Sequence, residues 1–325
     1  MSAKSLLVVI PCLNEEKTIA AVISAIPNTI KGINRIDVLV VDDGSTDSSV
    51  KEAENAGAYY VSHPRNKGVG AAFRTGLNYA RVHEYDFMLN MDGDGQFNPN
   101  DIPELLAPVL SGEADMTTAS RFKDKTLHPK MPAIKKWGNH RISGLVSILT
   151  GQKFYDVSCG FRAYSKDVIR TLSLLGNFTY THEAILQTVF NGFSIIEVPL
   201  EIRGEREFGK SRVASNLWRY AKQTSSIIGS TIISHRPFTA FAFIGLFFGV
   251  IGISLGVFFM YHRFTTGAFE PHIWAGFSSA YFVGLAVISL LFGQAAFMFT
   301  RHHKITKNEM NLLVDTILQQ NQKKD

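Results

Sequence analysis

Two aspartates one residue apart, Asp92 and Asp94, close the apolar run Asp86-Phe87-Met88-Leu89-Asn90-Met91 and lead into Gly95 and Gln96. In an extended segment residues i and i+2 point the same way, so both carboxylates aim at one point. Two hard oxygen ligands leave coordination positions for water and substrate phosphates, which is how Mg²⁺ or Mn²⁺ is held beside a diphosphate. Asp and Gly together also make plain turns, so the pair gains weight only from its surroundings. An earlier run, Arg35 to Val41, ends in Asp42-Asp43-Gly44-Ser45, and the first, Ser5 to Ile10, ends in Pro11-Cys12-Leu13-Asn14-Glu15-Glu16. Arg65-Asn66-Lys67-Gly68-Val69-Gly70 adds glycines and a cation at a strand-to-helix turn, suited to a nucleotide phosphate or ribose.

The elements that must position these groups are legible as short apolar strands alternating with helical stretches. Helices are expected from about Glu15 to Ile26, with Asn14 as N-cap, from near Thr46-Asp47, and from about Gly70 to Val82. Such alternation predicts an α/β fold whose mostly parallel sheet carries helices on both faces. Ligands then bind at the carboxyl ends of the strands, where the acidic and amide groups fall.

Three of these segments resemble the nucleotide-sugar domain of family 2 glycosyltransferases, which have the Rossmann-like GT-A fold: Val9 to Glu15, Val40 to Ser45 and Met91 to Gln96. Ala119-Ser120-Arg121-Phe122, Asp156 to Tyr164 and Phe208 to Arg212 are similar to the polyprenyl-phosphate branch, which includes dolichyl-phosphate mannose synthases and undecaprenyl-phosphate glycosyltransferases. The resemblance runs in motif order from about Ser5 to Tyr220. It implies an inverting hexosyltransferase that uses Mg²⁺ or Mn²⁺, a nucleotide-diphosphate sugar donor (GDP-mannose or a UDP-sugar) and a dolichyl or undecaprenyl phosphate acceptor. It also implies Asp92, Asp94 and Gln96 at the metal, Asp92, Asp94 and Arg121 in catalysis, and Pro11, Leu13, Asn14, Glu15, Asp43, Lys67 and Asp92 at the donor.

The acceptor phosphate must be oriented by cations. A phosphomonoester with a second pKa near 6 is largely dianionic at neutral pH and attacks without a strong base. Arg121, Arg162, Lys210 and Arg212 are the candidates to hold it. Glu183, in Tyr180-Thr181-His182-Glu183, is a secondary candidate, although a carboxylate there also suits a helix N-terminus.

Composition changes at Pro237. No charged residue occurs from Phe238 to Met260 or from Ile273 to Thr300, and each run exceeds the ~20 apolar residues needed to cross a bilayer. Gly245, Gly249, Gly252 and Gly256 form one stripe, either the packing face of a hairpin or a homo-oligomer contact. Arg219, Lys222 and Arg236 precede the runs and Arg301, Lys304 and Lys307 follow them, which predicts both termini and the catalytic domain in the cytosol. Met1-Ser2-Ala3-Lys4 leads straight into the first strand, so no cleavable signal peptide is expected. The predicted organisation is a cytosolic domain over 1–210, an interfacial amphipathic segment over 211–236, a two-helix transmembrane hairpin over 237–300 (238–260 and 273–300), and a cytosolic tail over 301–325.

Other classes fit less well. The net charge of +5 in 325 residues is too diffuse for nucleic acid. Two cysteines, Cys12 and Cys159, make no disulfide framework and read as small buried hydrophobes. A dinucleotide-binding Gly-x-Gly-x-x-Gly fails at Phe73. Trp218 follows Asn216-Leu217, so the Gln-x-x-Arg-Trp that marks processive polysaccharide synthases is absent. A family 2 enzyme with another membrane-associated acceptor, or a non-catalytic membrane adaptor, are the alternatives; the adaptor leaves the acidic strand ends unexplained.

Overall fold

The computed structural model describes residues 4–322 apart from 175, 177–178 and 205–216. The chain divides into two units, Met1–Ile228 and Gly229–Asp325.

The first unit alternates strand and helix: β1 (Ser5–Cys12), α1 (Ile19–Ser24), β2 (Arg35–Asp42), α2 (Ser49–Asn55), β3 (Tyr59–Ser62), α3 (Val69–Val82), β4 (Phe87–Asn90) and α4 (Ile102–Ser111). β5 (Met116–Ser120), α5 (Ala133–Thr150), β6 (Arg162–Ser165), α6 (Lys166–Thr171), α7 (Thr181–Phe190) and β7 (Ile195–Pro199) complete it. The strands form one seven-stranded sheet in the order β3-β2-β1-β4-β6-β5-β7. β1 pairs in parallel with β2 and β4, and β5 with β7, whereas β6 runs antiparallel to both of its neighbours. The buried strands are near-continuous apolar runs because helices cover both faces. Leu6, Val8 and Ile10 of β1 meet Ile19, Val22 and Ile23 of α1 and Leu105, Leu106 and Val109 of α4. On the opposite face α3 approaches so closely that a β-carbon at Gly76 would overlap Val9.

This topology gathers the chemistry. β1, β2, β4 and β5 all end at one edge, which delivers Asn14, Asp43, Asp92 and Arg121 there. Because β6 is reversed, the loop that precedes it, Asp156 to Phe161, returns to the same edge. Sequence reading anticipated the parallel strands but not this reversal.

The helix expected from Glu15 begins four residues later, at Ile19, with Thr18 at its cap position. Asn14 is not its cap. It adopts a left-handed φ of 53°, and its Oδ1 accepts from Thr46 N at 2.8 Å while its own N–H donates to Ser45 Oγ at 2.9 Å. Asn tolerates this conformation better than most residues, so Asn14 bolts the β1 loop to the β2 loop.

In the second unit, α9 (Pro237–Thr266) and α10 (Ile273–Gln322) pair as a hairpin, and α8 (Leu217–His235) precedes them, reaching across the division between the units. Pro237–Thr266 and Ile273–His302 are each 30 residues long and contain 18-residue stretches with mean hydropathies of 2.4 and 2.1, long and apolar enough to cross a membrane. α10 continues past the apolar run expected to stop at Thr300. The glycine stripe serves the hairpin itself: β-carbons at Gly252 and Gly256 would lie 2.8 Å from Val283 Cγ2 and Ser279 Oγ. Ser279 Oγ also donates to Gly252 O at 2.8 Å, a polar tie across a close helix contact.

Candidate functional site

The loop after β4 is built so that its carboxylates cannot wander. A β-carbon at Gly93 would stand 3.1 Å from Ile19 Cδ1 and 3.2 Å from Ile10 Cγ2, so the backbone between the two aspartates lies flat against the core. Thr18 Oγ1 donates to Gly93 O at 2.7 Å and ties that loop to the start of α1. Gly95 follows with φ +74°, the left-handed turn that glycine adopts freely. Asp94 is 2 % exposed, and its Oδ1 accepts from Gln96 N at 3.0 Å. Asp92 is half-buried beside Gly160 and Tyr180. Tyr180 is buried, accepts from Asn90 Nδ2 at 2.6 Å and stacks on Phe73 at 4.1 Å. Burial, then the Asp92 charge, push its phenol well above the ordinary value, so it stays a neutral hydroxyl.

The donor set of this loop is carboxylate oxygen, the chemistry that suits Mg²⁺ or Mn²⁺. Among the described residues no group of three or more His, Cys, Asp and Glu forms an all-protein cage. Two carboxylates beside a substrate diphosphate match the way Mg²⁺ is held without one. Gln96 is otherwise engaged at its amide nitrogen, which donates to Arg203 O at 2.9 Å.

Asp43 is more deeply used than sequence reading suggested. It is 4 % exposed; Oδ1 accepts from His63 Nδ1 at 2.8 Å and Lys67 N at 2.9 Å, and Oδ2 from Gly68 N at 2.8 Å. His63 Nε2 in turn meets Thr75 Oγ1 at 2.9 Å. The carboxylate expected at the donor thus organises the turn into α3. Lys67 is anchored there by its backbone, with its side chain exposed. Gly44, at φ +84°, lets this turn come close, since a β-carbon there would sit 2.8 Å from the Arg65 carbonyl carbon. Glu15 N donates to Ser49 Oγ at 2.7 Å, and Pro11 and Leu13 stand half-exposed at the end of β1.

Arg121, at the end of β5, is held by a carboxylate that sequence reading did not single out. Its Nε and Nη2 donate to Asp156 at 2.6 and 2.9 Å, and Nη2 also reaches Ser158 Oγ at 2.9 Å. The Arg121 side chain keeps 20 % exposure while Asp156 has none. Burial opposes ionisation of Asp156, but the Arg121 charge and hydrogen bonds outweigh it and hold the carboxyl below its usual range. Behind it, Glu197 accepts from Tyr155 N at 2.9 Å and Asp156 N at 2.8 Å, fixing the loop that carries Asp156. No local signal links residues 35 positions apart; Asp156 stood in a quoted motif, but its partner did not follow from that.

One expectation is corrected. Arg162 does not face an acceptor: it is fully buried, and its guanidinium donates to the carbonyls of Cys159, Thr181 and Val157 at 2.8, 2.6 and 2.9 Å. A buried cation must be satisfied by its own chain, and here it staples the start of β6 to α7. Glu183 is likewise internal, accepting from Gly176 N at 3.0 Å and Gln187 Nε2 at 3.1 Å. Lys210 and Arg212 lie outside the described residues. Cys12 and Cys159 are both buried, and burial pushes both thiols up to about 12.

The mostly parallel seven-stranded sheet, with paired aspartates after its fourth strand, has the GT-A fold. Glucosyl-3-phosphoglycerate synthase from Mycobacterium tuberculosis, solved with Mn²⁺, UDP and glucosyl-3-phosphoglycerate, matches with a TM-score of 0.54 at 23 % identity, over 71 % of this chain and 80 % of that one. The family model for glycosyl transferase family 2 matches residues 7–173, and the chain belongs to that family. A UDP-N-acetylglucosamine–dolichyl-phosphate N-acetylglucosaminyltransferase of Methanococcus voltae is 31 % identical, covering 62 % of this chain and 86 % of its own length. A polyprenol monophosphomannose synthase of Mycolicibacterium smegmatis is 27 % identical, over 66 % and 83 %.

Proposed function

We propose that this enzyme transfers a hexose from a nucleotide-diphosphate sugar to a polyprenyl phosphate at the cytosolic face of a membrane, with inversion at the anomeric carbon. The observation that carries the reading is the pairing, at one sheet edge, of the Asp92–Asp94 loop with Arg121. One end serves an anionic donor, the other an anionic acceptor, in a chain with two helices long enough to span a bilayer. The names of the Methanococcus and Mycolicibacterium relatives support a polyprenyl-phosphate acceptor.

Asp92 and Asp94 would hold Mg²⁺ or Mn²⁺, which neutralises diphosphate charge and improves the nucleotide as a leaving group. Asn14 and Glu15 after β1, Asp43 after β2 and Lys67 just before α3 frame the donor. Arg121, fixed by Asp156, presents its guanidinium edge to the acceptor phosphate, which attacks the anomeric carbon as a dianion. Lys210 and Arg212 keep the acceptor role expected from their residue type. Among the described motif residues no separate nucleophile for a covalent intermediate stands out, which supports a single displacement.

The test incubates the membrane-embedded enzyme with labelled nucleotide sugars and polyprenyl phosphate, then extracts the lipid. Asp94→Ala should lose nearly all transfer, a cost of several kcal/mol, on the order expected for a lost metal ligand. An α-linked donor should yield a β-linked lipid product by NMR. Undiminished turnover of Asp94→Ala in EDTA would remove the metal assignment, and a retained α-linkage would remove the single displacement.

A further inference from the structure

Asp43 has most of its hydrogen-bonding capacity already in use. A carboxylate offers about four acceptor places, two on each oxygen. Both places on Oδ1 are filled, by His63 Nδ1 at 2.8 Å and Lys67 N at 2.9 Å, and one on Oδ2 is filled, by Gly68 N at 2.8 Å. A single place remains, on Oδ2. His63 is the one side chain in this set, and the carboxylate only accepts, so Nδ1 carries the proton of their bond. The His63 ring is buried and held on its far side by Thr75 Oγ1 at 2.9 Å. The carboxylate cannot turn to release its other oxygen. Two successive backbone N–H groups hold one oxygen each, and Asp43 N itself donates to Cys12 O at 2.8 Å. The Gly44 backbone that follows already lies against Arg65 and Asn66.

The place of Asp43 on the sheet decides which part of a donor it meets. β1 stands between β2 and β4, so the ends of β2 and β4 are two strand spacings apart, roughly 10 Å. With the diphosphate at the Asp92–Asp94 loop, as the proposed function has it, a nucleoside extends across the end of β1 and brings its base to Asp43.

We propose that His63 is a specificity-determining residue of the donor site: by occupying an acceptor place on Asp43 it leaves room for a single N–H, and so selects uracil over guanine. The pairing edge of uracil presents one N–H, at N3, between two carbonyls. That of guanine presents two donors side by side, N1–H and the N2 amino group, which together take both oxygens of an unoccupied carboxylate. At Asp43, which is 4 % exposed, the second guanine donor meets an Oδ1 that is already full and stays unpaired in a buried place. The donor is then a uridine-diphosphate sugar. This assignment deepens the proposed function and rests on it.

The test measures nucleotide binding alone, by isothermal titration calorimetry on the full chain in nanodiscs with Mg²⁺ present. UDP should bind at least about tenfold more tightly than GDP, the scale of one buried N–H left without a partner. 3-Methyl-UDP, which lacks the N3–H, should bind about tenfold more weakly than UDP. Both comparisons use the wild type, so they decide the base whether or not a variant folds. His63→Leu keeps the bulk of the side chain and removes its N–H, which frees a place on Oδ1, so the preference for UDP over GDP should shrink. His63→Gln, whose amide still donates, should retain it. GDP binding as tightly as UDP would overturn the inference while leaving the proposed transfer intact, because a guanosine-based donor would still serve it. So would 3-methyl-UDP binding as tightly as UDP, since Asp43 would then not read the base. Loss of the preference in both His63 variants, or in neither, would remove His63 from the selection. Binding of neither nucleotide would remove the proposed function itself and this inference with it.

Discussion

Replacing Asp156 by Asn tests the idea that a buried carboxylate, and not the sheet alone, fixes Arg121. The substitution keeps the shape but removes the charge and turns one acceptor oxygen into a donor facing a guanidinium. Wild-type Asp156 accepts from Arg121 Nε at 2.6 Å, Nη2 at 2.9 Å and N at 3.2 Å, and from Ser158 N at 3.2 Å. Asp156 is fully buried and Arg121 mostly so, and breaking such a pair by removing one partner costs about 3–5 kcal/mol. A domain of 150–250 residues loses about 2–4 °C of Tm per kcal/mol, which gives a fall of roughly 6–20 °C. The carboxyl is held below its usual pKa, so its contribution is present above the ordinary carboxylate range and is lost as pH falls through the lowered value. The gap between wild type and variant should therefore be full at neutral pH and shrink in acid. The assay is thermal unfolding of the full chain in detergent by intrinsic fluorescence, run beside lipid-transfer kinetics. Transfer should fall while donor affinity holds, and Arg121→Lys, which keeps the charge but loses the fork, should fall similarly. A variant that melts within about 2 °C of wild type at neutral pH and transfers normally would refute the argument.

Gly76→Ala should destabilise by about 1–3 kcal/mol through overpacking against Val9, and the double variant with Val9→Ala should lose less than the sum of the singles. Measured additivity would mean that the two sites do not share that space. His182 is fully buried and its pKa is pushed down to about 3, first by burial and then by the Arg162 charge. Between pH 6.5 and about 3 the unfolded chain binds a proton that the fold refuses, so stability declines on acidification by at most ~1.4 kcal/mol per pH unit. His182→Gln should flatten that slope in Tm against pH. Glu197, raised by burial, works in the opposite direction, so the readout is the difference between wild type and variant.

The sequence by itself determined the class of sheet, the edge where the chemistry gathers and the two long apolar helices. Those features are written in local patterns: a period of two or an unbroken apolar run for strands, acids at strand ends, and uncharged runs longer than a bilayer. It also singled out Asp92 and Asp94, although the strand ends at Asn90 and the two stand in the turn that follows it instead of on extended backbone. Only the tertiary structure decided which charged groups face outward. Arg121 and Arg162 look alike in the chain, each a lone arginine in a quoted motif. The reversal of β6 carries Arg162 into the interior, onto three carbonyls, and leaves Arg121 at the edge, clamped by Asp156. Asn14 was misread as a helix cap for the same reason, and the partners of Glu183 were equally unreadable, since a polar side chain takes its job from whichever backbone groups the fold leaves unsatisfied beside it. Those groups, Thr46 N–H for Asn14 and Gly176 N–H for Glu183, are set by loop packing and carry no mark in the sequence.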